Sequence, residues 1–366
     1  MSDVSAQDRR WLDAAARLAR PYLGTTAENP TVGAIIIDED LQLLFGRAVT
    51  AKGGRPHAET QAIAEARNSA RGRTLYVTLE PCNHWGRTPP CADAVIQAGI
   101  KRVVVGLLDP DPRTAGAGIE RLRQAGIDVA LAQGHQPSLL LHEGHIARKT
   151  RGMPFVTAKL AVSKDGMIGL PDQGNVPITG EEARRWTHME RALSDAVMVG
   201  ARTAQVDDPQ LTVRLKGLEH RSHTRVVLAG SRPFDTSLNL IDGVSGYPTV
   251  IIAETGRTFE VPPAVQVIEV EGRNGRPNLR KALAALSERG IGRLMVEGGA
   301  RLTEALIAGE LIDRFHLLTG TTTVGRKGVP ATMLGSIDGR LRAAGFAEVD
   351  RRALGADMLR TFEREL

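Results

Sequence analysis

Cysteine is nearly absent: two residues in 366, both inside the single stretch Thr78–Cys91. Aromatic residues make up only 4 % of the chain, too sparse for the aromatic-bearing basic groove that reads nucleic-acid bases. No apolar run approaches the ~18 residues needed to cross a bilayer, since Val32–Ile37 and Val103–Leu108 have the length of buried strands. No run of Lys and Arg reaches five, and the arginines are interleaved with acidic residues along the whole chain. The net charge of +5 and the pI near 9.5 therefore describe a solvated surface with some attraction for phosphorylated small molecules, and no nucleic-acid partner or membrane is expected. Internal repeats and low-complexity tracts are also missing. Asp3 and Asp8 run straight into a helical pattern instead of a secretory leader. The expected location is cytoplasmic, where thiols stay reduced and a cysteine pair more often binds metal than forms a disulfide.

The length favours two domains. Ser5-Ala6-Gln7-Asp8 resembles a capping box, and Trp11, Ala15, Leu18 and Ala19 recur at helical spacing, so residues 6–20 read as a helix. Strands follow at Val32–Ile37 and Leu43–Val49, a helix over 58–70, a strand at Thr74–Leu79, a short helix at Ala92–Ala98 and a strand at Lys101–Leu107. A helix at Ile119–Ala125, a strand at Ile127–Leu131 and a helix at Pro137–Arg151 complete the series. This alternation predicts an α/β domain with a largely parallel sheet over residues 1–150. The Gly152-Met153-Pro154 break opens a second alternating series over 151–366. Its strands are Phe155–Val162, Asp195–Val199, Arg225–Leu228, Thr249–Ile252, Val265–Val270 and Arg293–Glu297, and its helices are 180–193 and Leu279–Arg289. Residues 230–248 read as loops.

The chemistry-bearing part is His57-Ala58-Glu59 together with Cys82 and Cys91. One imidazole, two thiolates and a carboxylate two residues from the imidazole are the parts of a hydrolytic zinc site. Three protein ligands leave a fourth position for water. His57 and Cys91 both stand at predicted helix starts, where the positive end of the helix favours thiolate, and Pro89-Pro90 stiffens the approach to Cys91. Singly, each piece has an ordinary explanation: a helix-flanking histidine is usually surface or cap, and two cysteines can be small buried residues. Together they match the deaminase arrangement, in which zinc acidifies water for attack on an amidine-type ring carbon and the glutamate shuttles the proton. A structural zinc would need a fourth protein ligand, and only His84 is near enough in sequence.

Zinc nucleobase deaminases carry Pro-Cys-x-x-Cys, whereas eight residues, Asn83 to Pro90, separate Cys82 from Cys91. That insert resembles the bifunctional riboflavin-biosynthesis deaminase/reductase family, whose motif is Glu-Pro-Cys-x-His-x-Gly-Arg-Thr-Pro-Pro-Cys; every fixed position is present here. Asn29-Pro30-Thr31-Val32-Gly33 and Asp109-Pro110-Asp111-Pro112 are similar to further family segments, and the resemblance runs from about residue 8 to the C-terminus. It implies a cytidine-deaminase-like three-layer α/β domain followed by a dihydrofolate-reductase-like α/β domain. It also implies zinc ligands His57, Cys82 and Cys91, Glu59 as proton shuttle, and substrate contacts Asn29, His84 and Arg87. The substrate would be a diaminopyrimidinone carrying a ribosylamino 5′-phosphate, and deamination would yield the uracil.

In the second domain, Val296-Glu297-Gly298-Gly299 followed by a helix offers free N–H groups to a phosphate. The family resemblance makes this an NADPH-dependent reductase that converts the ribosyl group to ribityl. It implies cofactor contacts at Ala161, Pro177, Thr203, Asp207, Gly230, Gly299, Ala300, Arg301, Leu302, Thr303, Glu304 and Ala305. Substrate contacts would be Asn175, Arg191, Leu211, Arg214 and Glu297, with the arginines suited to phosphate and Lys159 and Glu297 matching the charge that develops at the reacting centre. Two departures stand out. Pro177 occupies a position that is often aromatic in the family, and Ala229-Gly230 replaces Asp-Ser, which would weaken cofactor binding. A homodimer or higher homo-oligomer is expected, with pairing through the second domain. The alternative is a monofunctional zinc deaminase, acting on a pyrimidine or on tRNA adenosine, with a non-catalytic C-terminal domain; the long insert and scarce aromatics argue against the tRNA form.

Overall fold

Ser5 and Asp8 form the capping box reciprocally: Ser5 Oγ accepts the Asp8 N–H at 3.1 Å and the Asp8 carboxylate accepts the Ser5 N–H at 2.8 Å. They start α1 (Ala6–Ala19), whose Leu12, Ala15 and Ala19 are fully buried. The structure is a computed structural model and describes residues 3–171, 173, 176–232, 235–241, 246–333 and 335–364. It divides into two units, Met1–Gly152 and Met153–Leu366. Among the described residues no helix is long and apolar enough to cross a membrane.

The first unit continues through β1 (Gly33–Asp38), β2 (Leu43–Val49), α2 (Ala58–Ala66), β3 (Thr74–Val77) and α3 (Cys91–Gln97). β4 (Arg102–Val105), α4 (Ala117–Gln124), β5 (Asp128–Leu131) and α5 (Gln136–Arg151) follow. The five strands lie in the order β2-β1-β3-β4-β5. Alternation along β1 assigns its faces: Ala34 and Ile36 pack with α2, α3 and α4, whereas Ile35 and Ile37 pack with α1. α5 lies beside α1, which makes three layers. The largely parallel sheet expected from the sequence is corrected here. β1 runs antiparallel to both β2 and β3, and only β3-β4-β5 are parallel. Strand–helix alternation does not fix strand sense. The link 39–42 is four residues long, whereas a parallel crossover needs a dozen or more.

The second unit contains β6 (Phe155–Val162), β7 (Met167–Gly169), α6 (Glu181–Ala192), β8 (Ala196–Gly200), α7 (Ala201–Asp207) and β9 (Thr224–Leu228). Next come β10 (Thr249–Glu254), β11 (Val265–Val270), the hairpin β12 (Gly272–Arg273) and β13 (Arg276–Pro277), α8 (Leu279–Glu288), β14 (Arg293–Val296) and α9 (Ala300–Ala308). β15 (Arg314–Thr319), β16 (Val329–Pro330), α10 (Ile337–Ala343), β17 (Phe346–Leu354) and β18 (Asp357–Arg364) close the chain. Nine strands form one sheet in the order β11-β10-β9-β8-β14-β6-β15-β18-β17. Its first seven are parallel, and the β17–β18 hairpin adds to the edge antiparallel. The sequence expectations did not include β7, α7, β15, β16, α10 or the β17–β18 hairpin. β17 hides itself: all but its ends are exposed, so no apolar face marks it as a strand.

Candidate active sites

In the first unit, antiparallel pairing sets the start of β1 beside the end of β3, where the Thr78 N–H donates to the Gly33 carbonyl at 3.0 Å. His57 is the N-cap of α2 and Cys91 is the first residue of α3. His57 Nδ1 lies 3.2 Å from Cys91 Sγ and 3.7 Å from Cys82 Sγ, and the three donor atoms sit within 4.8 Å of one another. The Cys91 N–H also donates to Cys82 Sγ at 3.3 Å. Hydrogen bonding with Cys91, and then with His57, outweighs burial and holds the Cys82 thiol well below its usual value. Glu59 is only 3 % exposed, and its Oε2 and His57 Nε2 have no protein partner. Burial is the main force raising the Glu59 carboxyl to about 7. One nitrogen and two sulfurs at this spacing, with an unpartnered buried carboxylate oxygen beside them, fit a zinc ion with an open fourth position.

A residue absent from the sequence-based site list, Glu80, fixes Cys82 from behind. Its buried carboxylate accepts backbone N–H groups of Asp109, Gly116, Gly118 and Ile119, at 2.9 to 3.2 Å. It thereby occupies the N-terminal end of α4, which no side chain caps. Gly118 makes the docking possible, because a Cβ there would overlap the Pro81 carbonyl oxygen. Asp109, in the Asp-Pro-Asp-Pro turn, is held in turn by His145 Nε2 at 2.9 Å. The signal was in the sequence: a glutamate two residues before Cys82, and Gly116-Ala117-Gly118 opening a helix without a capping side chain.

Asn29 is half-buried at the mouth of β1, with its amide lying so close over Gly54 that a Cβ at that position, where φ is +90°, would overlap it. His84 is half-buried, its Nδ1 3.4 Å from Thr114 Oγ1, and Arg87 is exposed in the loop between the two cysteines. Arg55 stitches that loop, donating to Thr88 Oγ1 at 2.7 Å.

The second unit carries a cleft of about 1660 Å³ at the carboxyl ends of its parallel strands, where ligands of open α/β sheets bind. Lys159 and Ala161, two residues apart on β6, face it, as do Pro177, Thr203, Asp207, Leu211, Arg214 and Gly230. Gly299, Ala300, Arg301, Leu302, Glu304 and Ala305 line it too. Thr303 does not: it is 2 % exposed and turned into the protein. Asn175 lies outside the described residues. Gly299 is the N-cap of α9 and supplies no side-chain cap, so the first N–H groups of α9 are open to an anion. A Cβ at Gly299 would sit 3.4 Å from Thr203 Oγ1, which makes this a close-walled cradle that fits a dinucleotide phosphate.

On the cleft wall, Arg191 grips Glu297 with two hydrogen bonds, Nε to Oε1 at 2.5 Å and Nη2 to Oε2 at 3.0 Å. Its third nitrogen donates to the Thr212 carbonyl at 3.0 Å. Lys159 Nζ stands 3.9 Å from Glu297 Oε2. Burial would raise the Glu297 carboxyl, but Arg191 and Lys159 outweigh it and hold it at about 2. Burial lowers Lys159 from its usual value. Arg191 is thus committed to a carboxylate, while Arg214 remains on the cleft wall with its backbone N–H on His188 Nδ1 at 3.3 Å. The sequence reading missed His188, although it sits three residues before Arg191 and so on the same helix face.

Residues 5–107 match the model of the cytidine and deoxycytidylate deaminase zinc-binding region, and residues 154–354 match the RibD C-terminal domain. The chain is 37 % identical to riboflavin biosynthesis protein RibD of Aquifex aeolicus, over 87 % of this chain and 88 % of that one. It is 32 % identical to RibD of Escherichia coli, over 96 % and 98 %. Among solved structures, Acinetobacter baumannii RibD superposes with a TM-score of 0.85 at 31 % identity, covering 98 % of this chain and 99 % of that one. The Thermotoga maritima diaminohydroxyphosphoribosylaminopyrimidine deaminase/5-amino-6-(5-phosphoribosylamino)uracil reductase superposes with a TM-score of 0.84 at 30 % identity, covering 98 % of each chain.

Proposed function

The chain belongs to the RibD family of bifunctional deaminase–reductases of riboflavin biosynthesis, and on that footing we propose how its own residues carry the two reactions. The first unit deaminates the diaminopyrimidinone ribosylamino 5′-phosphate to the corresponding uracil, and the second reduces the ribosyl group of that product.

His57 Nδ1, Cys82 Sγ and Cys91 Sγ would hold zinc, which supplies Lewis acidity and an acidified water in its open position. Glu59, buried and poised at about 7, takes a proton at Oε2 and delivers it to the departing ammonia; a carboxyl near neutrality can do both. Asn29 and His84 present amide and imidazole groups to the ring, and Arg87 meets the phosphate. In the second unit, NADPH supplies the hydride when bound. The open start of α9 beside Thr203 would hold its pyrophosphate, and Ala161 would leave room beside the nicotinamide. Lys159 Nζ would contact the reacting ribose oxygen, and Glu297, kept ionised, would offset the positive charge of the imine-type carbon that accepts the hydride. Arg214 takes the substrate phosphate. Arg191 orients Glu297 instead of meeting that phosphate directly. The protein works as a cytoplasmic homodimer paired through the second unit, a state sedimentation would read.

The observation that carries this reading is the buried, unpartnered Glu59 Oε2 beside three convergent metal donors. The test uses purified protein, zinc, the diaminopyrimidinone phosphate and NADPH, with ammonia release and loss of NADPH absorbance followed separately. Glu59→Gln should retain zinc, lose ammonia release by at least about a hundredfold, and still oxidise NADPH when given the deaminated intermediate. Undiminished ammonia release would overturn the mechanism.

A further inference from the structure

The segment that carries Leu211 and Arg214 is held in a backbone shape it would not choose. Leu211 is 1 % exposed and has φ +53°, a left-handed conformation that a bulky side chain disfavours and that persists only where the surroundings impose it. Three side chains impose it by taking backbone groups of three successive residues. Arg191 Nη1 donates to the Thr212 carbonyl at 3.0 Å, Ser222 Oγ accepts the Val213 N–H at 3.0 Å, and His188 Nδ1 accepts the Arg214 N–H at 3.3 Å. Two of the three, His188 and Arg191, come from one face of α6, three residues apart. Of these anchors, His188 is the one that bonds Arg214 itself.

An imidazole can accept that N–H only with Nδ1 unprotonated, so the hydrogen bond assigns the ring proton to Nε2. The surroundings favour this neutral form. Burial, then repulsion from Arg191 and Arg214, outweighs Glu297 and the Thr212 carbonyl and lowers His188 to about 4. A protonated ring would turn a donor on the Arg214 N–H and set a third cation between two arginines. The Arg214 side chain is treated in the opposite way. It is exposed on the cleft wall, and its guanidinium has no hydrogen bond or ion pair among the described residues. A long side chain that closes on an anion loses conformational freedom. Pinning its backbone N–H beforehand fixes where the stem begins and lowers that loss.

We propose that His188 is a positioning residue for the phosphate of the reductase substrate: by accepting the Arg214 N–H it fixes the root of that side chain and aims its guanidinium into the cleft. This rests on the assignment of Arg214 to the phosphate above. One face of α6 then serves both parts of the substrate, the reacting centre through Arg191 and Glu297 and the phosphate through His188 and Arg214.

Steady-state NADPH oxidation by the full-length zinc-loaded protein tests it, with the deaminated intermediate and its phosphate-free counterpart as the two substrates. Arg214→Gln is the reference and should lose most of the preference for the phosphorylated substrate, expressed as a ratio of kcat/KM. His188→Phe keeps a ring and removes the acceptor. It should raise KM for the phosphorylated intermediate about tenfold, the scale of one charge-assisted bond, with kcat lowered less than about threefold. Its phosphate preference should fall by a similar factor. His188→Asn, whose Oδ1 stands where Nδ1 stood, should recover most of that loss, which a role in packing alone would not give. Should urea unfolding show that His188→Phe does not fold, His188→Ala answers the same question, since its vacated space opens to the cleft. A variant without the acceptor that keeps the wild-type preference, or loses rate equally on both substrates, overturns the role of His188 and leaves Arg214 on the phosphate. Failure of Asn to restore the preference overturns it likewise. Arg214→Gln with undiminished preference, or a wild type that shows none, overturns the phosphate assignment itself, and the role of His188 with it.

Discussion

Arg191 and Glu297, 106 residues apart in sequence, form a two-pronged ion pair on the wall of the second cleft, with side chains only 10 % and 13 % exposed. A pair this enclosed is costly to break from one side, because the survivor is left charged without a partner. Arg191→Ala should therefore destabilise the second unit by about 3–5 kcal/mol and abolish NADPH oxidation, with zinc content and ammonia release unchanged. Glu297→Gln keeps the shape and one acceptor, so it should cost less stability than Arg191→Ala while losing hydride transfer comparably. Urea unfolding with the two activities assayed side by side checks the ordering. Equal activity of Glu297→Gln and wild type would remove the carboxylate from the reaction.

The same enclosure makes the second unit sensitive to acid. Glu297 is held at about 2 against an ordinary 4.5, so its contribution is complete above pH 4.5 and disappears as pH falls toward 2. Burial, followed by neighbouring Arg191, lowers His188 and His223 to about 4 from 6.5. Their unfolded forms take up protons first, so stability drops between pH 6.5 and 4 as well. The urea midpoint should fall continuously from pH 7 to 3, and His223→Gln should flatten the upper part of that slope. Trp186 fluorescence, with Trp11 and Trp85 replaced by Phe, reports the unit concerned. A midpoint independent of pH over this range would contradict the assignment.

The convergence of His57, Cys82 and Cys91 was legible because the donors are concentrated in one short motif and one dipeptide spacing, and each declares itself by residue type. The paired states of residues were not legible. Nothing in the sequence says that Arg191 is spent on Glu297 while Arg214 stays on the cleft wall, because that depends on β14 inserting between β8 and β6 and so coming beside α6. Helix starts read well, as Ser5 with Asp8 shows. Strand sense in the first sheet did not, since β1 pairs antiparallel on both sides without any local mark of it. The β17–β18 hairpin escaped for a related reason: Glu348, Arg351 and Arg360 form a charge network on its surface, which resembles a solvated helix or loop when read alone.

Gly118 lies in the first turn of α4, where alanine is ordinarily the better helix former, so on propensity alone Gly118→Ala should stabilise the protein. A Cβ there would instead overlap the Pro81 carbonyl oxygen and come within 3.1 Å of Glu80 Oε1. Backbone cannot yield as a flexible side chain does, so α4 must move away, and the three N–H bonds that Glu80 collects from Gly116, Gly118 and Ile119 stretch with it. Cys82, two residues beyond Glu80, shifts relative to His57 and Cys91. Gly118→Ala should consequently lower zinc affinity about tenfold or more, the scale of loss when groups orienting metal ligands are disturbed, and reduce ammonia release in parallel. NADPH oxidation with the deaminated intermediate should be unaffected. Titration with a zinc chelator together with the two assays tests this, and a variant that is more stable yet deaminates normally would show that Glu80 does not set the position of Cys82.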